Sequence, residues 1–288
     1  MFEGFKTSRI ETAGATIHTV SAGSGPPLLL LHGYPQTHVM WHKIAPRLAE
    51  HFTVVVTDLR GYGDSSKPGD GENHFGYSKR AMAGDQVEVM RHFGFEKFAV
   101  AGHDRGGRVA HRMALDHADR VTRVAVLDIV PTHKLFHSVT KEFATVYYHW
   151  FFLIQPAPLP ETLIGESVEY FLKQRFGRLM PDGITPEAFD EYLRCFRDPA
   201  AIHASCEDYR AAASIDLEHD EADMHRKVEC PLLALWAKDG AMEPLYDVLG
   251  TWLERASDAS GKALRGGHYL PEESAEETVG ELMRFFRL

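Results

Sequence analysis

Hydrophobic positions along the 288-residue chain follow two rhythms. Short, nearly unbroken apolar runs at 27–31 (PLLLL), 52–57 (FTVVVT), 98–101 (FAVA), 121–127 (VTRVAVL), 231–236 (PLLALW) and 262–264 (KAL) read as buried strands. Residues 9–20 read as a hairpin that begins the sheet antiparallel. Between the strands, apolar positions recur at helical spacing over 79–93, 107–117, 244–255 and 275–286. Gly94 stands where a helix C-cap is favoured. This alternation predicts an α/β protein, a mainly parallel sheet flanked by helices. From about 133 to 223 the strand rhythm stops, and an aromatic, proline-rich stretch shows only helical spacing. It is expected to be a helical cap (133–223) inserted into a core of 1–132 and 224–288. Such an insertion would lie over the carboxyl ends of the strands, where open α/β sheets bind ligands.

A formal charge of -10 excludes nucleic acid as a partner, and it obliges any anionic substrate to find a local positive site. Cys195, Cys206 and Cys230 form no CxxC pair, so neither a zinc site nor a disulfide framework is expected. The start, MFEGFKTSRIETAG, lacks the apolar stretch of a signal peptide, and no apolar run approaches the ~20 residues of a membrane span. A cytoplasmic protein with no membrane partner is expected.

The stretch AGHDRGG (101–107) has the glycine spacing of a nucleophile elbow, with Asp104 where serine is more usual. A strand candidate precedes it and a helix candidate follows. The bland alternative for Asp104 is a helix N-cap carboxylate.

The chain resembles the haloacetate dehalogenases of the α/β-hydrolase superfamily, those acting on fluoroacetate above all. The resemblance rests on LLLLHGYPQTHVMW (28–41), DLRGYGDSSKP (58–68), GHDRGGRVAHRMALDH (102–117), LDIVPT (127–132), HWFF (149–152) and GGHYLPEE (266–273). It implies an α/β-hydrolase fold, with an eight-stranded sheet and a helical cap inserted after the sixth strand. It also implies a homodimer and a small haloacid substrate.

An aspartate suits such a substrate. It is ionised at neutral pH without a base, and it can displace a leaving group from saturated carbon to form an ester. His268, in a Gly-Gly-His loop after the last strand, is placed to deprotonate the water that hydrolyses the ester. For the acid that orients His268, the resemblance points to Asp128 at the end of 121–127. Many other α/β hydrolases would place it at Asp239, after 231–236. Backbone N–H groups of Tyr34, in HGYP (32–35), and of Arg105 would form the oxyanion hole. Arg105 and Arg108 share a helix face beside the nucleophile, and a buried guanidinium there calls for an anionic partner such as a carboxylate. Arg112 continues that face and is read as exposed. The resemblance assigns halide binding to His149, Trp150 and Tyr209, whose side chains all carry donors.

His32 is read as a structural loop residue. GYGDSS (61–66) has no P-loop lysine and is read as a loop, and no HExxH or clustered carboxylate pattern suggests a metal. No metal and no cofactor are therefore expected. Two rival functions stand beside the dehalogenase. One is an epoxide hydrolase, needing two cap tyrosines from among Tyr147, Tyr148, Tyr170, Tyr192 and Tyr209. The other is a non-catalytic receptor, which could dispense with nucleophile, acid or base.

Overall fold

The computed structural model describes residues 1–177 and 183–287. Among them, eight strands make one sheet: β1 (Lys6–Glu11), β2 (Thr16–Ala22), β3 (Pro27–Leu31), β4 (Thr53–Thr57), β5 (Phe98–His103), β6 (Val121–Leu127), β7 (Leu232–Ala237) and β8 (Ala259–Leu264). Their order is β1-β2-β4-β3-β5-β6-β7-β8. β2 pairs antiparallel with β1 and β4, and every later pairing is parallel. The central strands are apolar on both faces because both are covered: Leu28 to Leu31 and Val54 to Val56 have no exposed surface. The hairpin and all six runs read as strands are present, although the last begins at Ala259 rather than at 262.

The helices that matter for the site are α1 (Lys79–His92), α2 (Arg105–Asp116), α3 (Tyr148–Leu153), α4 (Val168–Phe176), α5 (Pro199–Ala212), α6 (Ile215–Ala222) and α7 (Ala275–Phe286). The stretch 244–255, read as one helix, instead forms two short pieces, Met242–Leu245 and Val248–Leu253. Asp247 starts the second piece, its carboxylate accepting the Gly250 N–H at 3.0 Å.

Between β6 and β7 the described residues form helices and no strand. α6 folds down against α2, and this overturns one expectation. Arg112 is not exposed but 3% accessible, bonded to Asp220 at 2.7 Å and Asp223 at 2.6 Å. Its apparent place on an open helix face was filled from far along the chain, by acids that helical spacing cannot reveal. Among the described residues, no helix is long and apolar enough to cross a membrane.

Candidate active site

Four parallel strands end at one place, and each delivers a residue just past its carboxyl end. Tyr34 follows β3, Asp104 follows β5, Asp128 follows β6 and His268 follows β8. At Asp104 the chain turns sharply from β5 into α2, holding a non-glycine residue at φ 47°, ψ -113°. Such a conformation persists only where the surroundings enforce it. Gly102 and Gly106 permit the turn: a Cβ on the first would fall on the Gly106 carbonyl, and one on the second on the His32 carbonyl. The Asp104 side chain does not cap α2. Its Oδ1 accepts the Tyr34 backbone N–H at 3.0 Å, and its Oδ2 lies 4.0 Å from His268 Nε2. The backbone N–H of Arg105 heads α2, where a helix leaves its N–H groups without internal partners.

Asp104 has 4% of its surface exposed, and burial alone would raise its pKa. The surrounding His268, His103, Arg105 and Arg108 outweigh that and hold it below the usual carboxylate value. It is therefore an anion at neutral pH. His268 donates from Nδ1 to Asp128 Oδ2 at 2.6 Å, while Asp128 Oδ1 accepts the Ala237 N–H at 2.8 Å. Burial pushes the His268 pKa down, but the bond to Asp128 and the charges of Asp128 and Asp104 leave it raised. Asp239 is exposed and accepts only a backbone bond, from Gly266 at 3.1 Å. Of the two acids left open by the sequence, the fold brings Asp128 to the imidazole. His103, which the sequence reading passed over, adds a support: its Nε2 lies 2.7 Å from the His268 carbonyl oxygen.

These groups face a cavity of about 290 Å³, lined by Asp104, His268, Tyr34, Tyr147, His149, Arg175 and Tyr209 among others. Trp150, Arg105 and Arg108 stand behind that lining. The Arg105 guanidinium lies 4.2 Å from the Tyr209 ring centre, and that of Arg108 lies 4.6 Å from the Trp150 ring centre. Arg105 is not a free fork. Its Nε and Nη2 bond the Asp208 carboxylate at 3.0 and 2.6 Å, and Nη2 also reaches the Asp208 carbonyl at 2.7 Å. Asp208 in turn accepts bonds from Lys79 and, at 2.6 Å, from Tyr62. Arg108 Nη1 bonds the Val130 carbonyl at 2.9 Å and Thr132 at 3.0 Å. Burial and the neighbouring Arg105 push Arg108 down to about 10, which still leaves it charged at neutral pH.

Among the described residues, the buried side-chain nitrogens without a hydrogen-bond partner include Arg105 Nη1, Arg108 Nε, His149 Nδ1 and Trp150 Nε1, and the Tyr34 hydroxyl on the cavity wall is also unpartnered. Buried polar atoms are usually satisfied, and several of those left over here belong to residues at or just behind the cavity wall. His149 stays neutral, because burial and then the Arg175 charge hold it well below the usual imidazole value. Tyr147 and Tyr209 both line the cavity. Tyr192 donates instead to Glu272 at 3.0 Å, and Tyr148 and Tyr170 are exposed. His32 is the loop brace expected of it, bonding the Gly33 carbonyl and accepting the Leu59 N–H at 3.0 Å. Folding also gathers His18, His38 and Asp58. Asp58 already accepts three N–H bonds there, two from His38 and one from Asp64, and so serves to brace the loop.

A family profile for the alpha/beta hydrolase fold matches residues 26–275. The chain belongs to the α/β hydrolases. Among its relatives, this hydrolase is 48% identical to a fluoroacetate dehalogenase of Burkholderia sp, over 99% of this chain and 95% of that one. It is 36% identical to a soluble epoxide hydrolase of Corynebacterium sp. (strain C12), over 95% and 94%. Among solved structures, a Nostoc sp PCC 7120 protein assigned to the α/β hydrolases matches with TM-score 0.98 and 59% identity, covering 99% of each chain.

Asp128→Asn should lower turnover by roughly 10⁴-fold, the scale seen when the triad acid of a serine protease is amidated. Asp239→Asn should change it by no more than a few-fold. Steady-state rates of the two variants, compared at equal folded fraction, decide between the acids.

Proposed function

We propose that this α/β hydrolase is a hydrolytic dehalogenase of short 2-haloacids, with fluoroacetate converted to glycolate and fluoride. The observation that carries the reading is the set of unpartnered buried nitrogens beside an ionised aspartate, with the His149 tautomer protonated at Nδ1 in this reading. Two belong to arginines, which suit a carboxylate, and two to an imidazole and an indole, which suit a departing halide. The Burkholderia relative named as a fluoroacetate dehalogenase supports it.

In this mechanism Asp104 Oδ2 attacks the carbon bearing the halogen. The carbon–halogen bond breaks, and its electron pair leaves with the halide toward His149, Trp150 and Tyr209. Arg105 and Arg108 hold the substrate carboxylate. Because Arg105 already spends two nitrogens on Asp208, it offers the substrate a single edge, through Nη1. His268 is too far from Asp104 for a direct hydrogen bond, so it is free to take a proton from water. That water attacks the ester carbonyl carbon. The oxyanion forms at the former Oδ1, beside the N–H groups of Tyr34 and Arg105. Collapse expels the glycolate alkoxide, which takes the proton back from His268; the Asp104 carboxyl, left with the second proton of the water, loses it to solvent and is again a carboxylate. The reading includes residues 133–223 as the cap and a cytoplasmic homodimer.

Epoxide hydrolysis is the second reading. It is favoured by the two phenols lining the cavity, Tyr147 and Tyr209, and by the Corynebacterium relative. Against it stand the two buried arginines, whose charge a neutral epoxide would not satisfy. Incubation with fluoroacetate, chloroacetate and styrene oxide separates the two by halide or diol release.

His268→Asn should stop hydrolysis after one alkylation, so mass spectrometry after haloacetate exposure should find a carboxymethyl adduct on the Asp104 peptide. An adduct elsewhere, or turnover surviving Asp104→Ala, overturns the assignment. The pH dependence should divide in the same way. The base works only when neutral, so ester hydrolysis should rise with pH as His268 loses its proton and then level off. Once Asp104 is esterified its charge is gone, and with it one of the causes that raise His268. The first-turnover burst of halide should lack this limb; a shared limb would place His268 before the ester.

The halide cradle has its own test. Fluoride is compact and poorly leaving, so it should depend on the donors more than chloride does. Trp150→Phe keeps the ring and deletes the N–H, and it should reduce fluoride release at least tenfold more than chloride release, a difference of about 1.4 kcal/mol. Parallel losses for both halides would identify Trp150 as packing alone.

A further inference from the structure

The two arginines behind the cavity cannot be the first charges that an approaching anion meets. Arg105 has no exposed surface and Arg108 only 4%, while the chain as a whole carries a formal charge of -10. Asp104 and Glu273 add negative charge to the cavity lining itself. One permanently charged cation lines the cavity among the described residues, Arg175 at the end of α4. It is partly exposed, its guanidinium lies 5.3 Å from the Tyr148 ring centre, and it forms no salt bridge with any described carboxylate. Its carbonyl accepts the Tyr269 hydroxyl at 3.0 Å, and the side-chain partner of its guanidinium is the neutral, exposed Tyr148. Glu273, which also lines the cavity, is occupied elsewhere: its oxygens accept the Gly267 and Tyr269 N–H groups at 2.8 and 2.9 Å. The Arg175 charge nevertheless reaches the cavity floor, where it helps to keep His149 neutral.

We propose that Arg175 is the capture residue for anionic substrates, drawing the carboxylate into the cavity before it passes to Arg105 and Arg108. This rests on the haloacid reading above and adds a specificity element to it. A cation focused in a low-dielectric cleft raises the local concentration of an anion and its rate of association, and salt weakens that effect. Arg175 should therefore govern kcat/KM for charged substrates while affecting kcat far less.

The test uses Arg175→Gln and Arg175→Lys in the full chain, with chloroacetate and uncharged chloroacetamide, at ionic strengths from low to high. Arg175→Gln should lower kcat/KM for chloroacetate about tenfold at low salt and flatten its salt dependence. Arg175→Lys should restore most of both, and kcat/KM for chloroacetamide should change less than twofold. Equal losses on the two substrates, or an unaltered salt dependence in Arg175→Gln, would overturn the capture role. Wild-type protein that releases chloride from neither substrate would overturn the haloacid reading itself, and the inference with it.

Discussion

A guanidinium without contact with water must have an anion beside it, and much of this site follows from how Arg105 meets that demand. Its position next to Asp104 would be untenable if it were unpaired. Asp208, reaching in from α5, takes two of its nitrogens and is itself held by Lys79 and Tyr62. Burial would raise the Asp208 pKa, but Arg105 and Lys79 hold it far below the usual carboxylate value, so the pair stays ionised. Removing one partner from a buried pair of this kind costs about 3–5 kcal/mol. The pair thus ties the inserted helices to the elbow helix and leaves one edge of Arg105 for a ligand.

Around that anchor the backbone is constrained as well. Asp104 and Asp128 both sit at positive φ, 47° and 52°, each just past the end of a central strand. Neither residue relaxes, because each carboxylate is pinned by a backbone N–H from a neighbouring loop or strand, Tyr34 for one and Ala237 for the other. One oxygen of each is fixed in this way and the other faces His268. The same imidazole is thereby bonded to one acid and held at a distance from the other. That asymmetry suits a base that acts on water rather than on the nucleophile.

In the proposed function, charge gives the helices between β6 and β7 a part in recognition. The chain's net charge and the nucleophile both repel anions, so attraction must come from a few cations in low dielectric. α2 supplies two of them deep in the fold and α4 a third, nearer to solvent. In the proposed route, their order in depth would pass a carboxylate inward from Arg175 to Arg105 and Arg108.

Local patterns carried the sheet, the elbow and the families of side chains in play. Period and apolar runs place β3 to β8, because a strand buried on both faces must be apolar throughout. Glycines at 102 and 106 announce the turn because a side chain there would collide with backbone. Asp104 and His268, which the fold brings within 4.0 Å of each other, stand out in the sequence for the same reason, each in a short motif tied to a strand end. What failed were statements about neighbours distant in the chain. Arg112 read as exposed because the acids that cover it lie more than a hundred residues away. Asp208 and Arg175 carry no motif, and only the folding of α5 and α4 over the strand ends brings them to the site. Asp128 and Asp239 each follow a strand, and although β7 lies beside β8 it is Asp128, one strand further off, whose carboxylate reaches the imidazole, which only the side-chain geometry decides. The sequence by itself determined the architecture and the chemistry available, since both depend on contacts within a few residues. Only tertiary structure decided which charges are paired and which are left free, since pairing depends on distances between segments that are far apart along the chain.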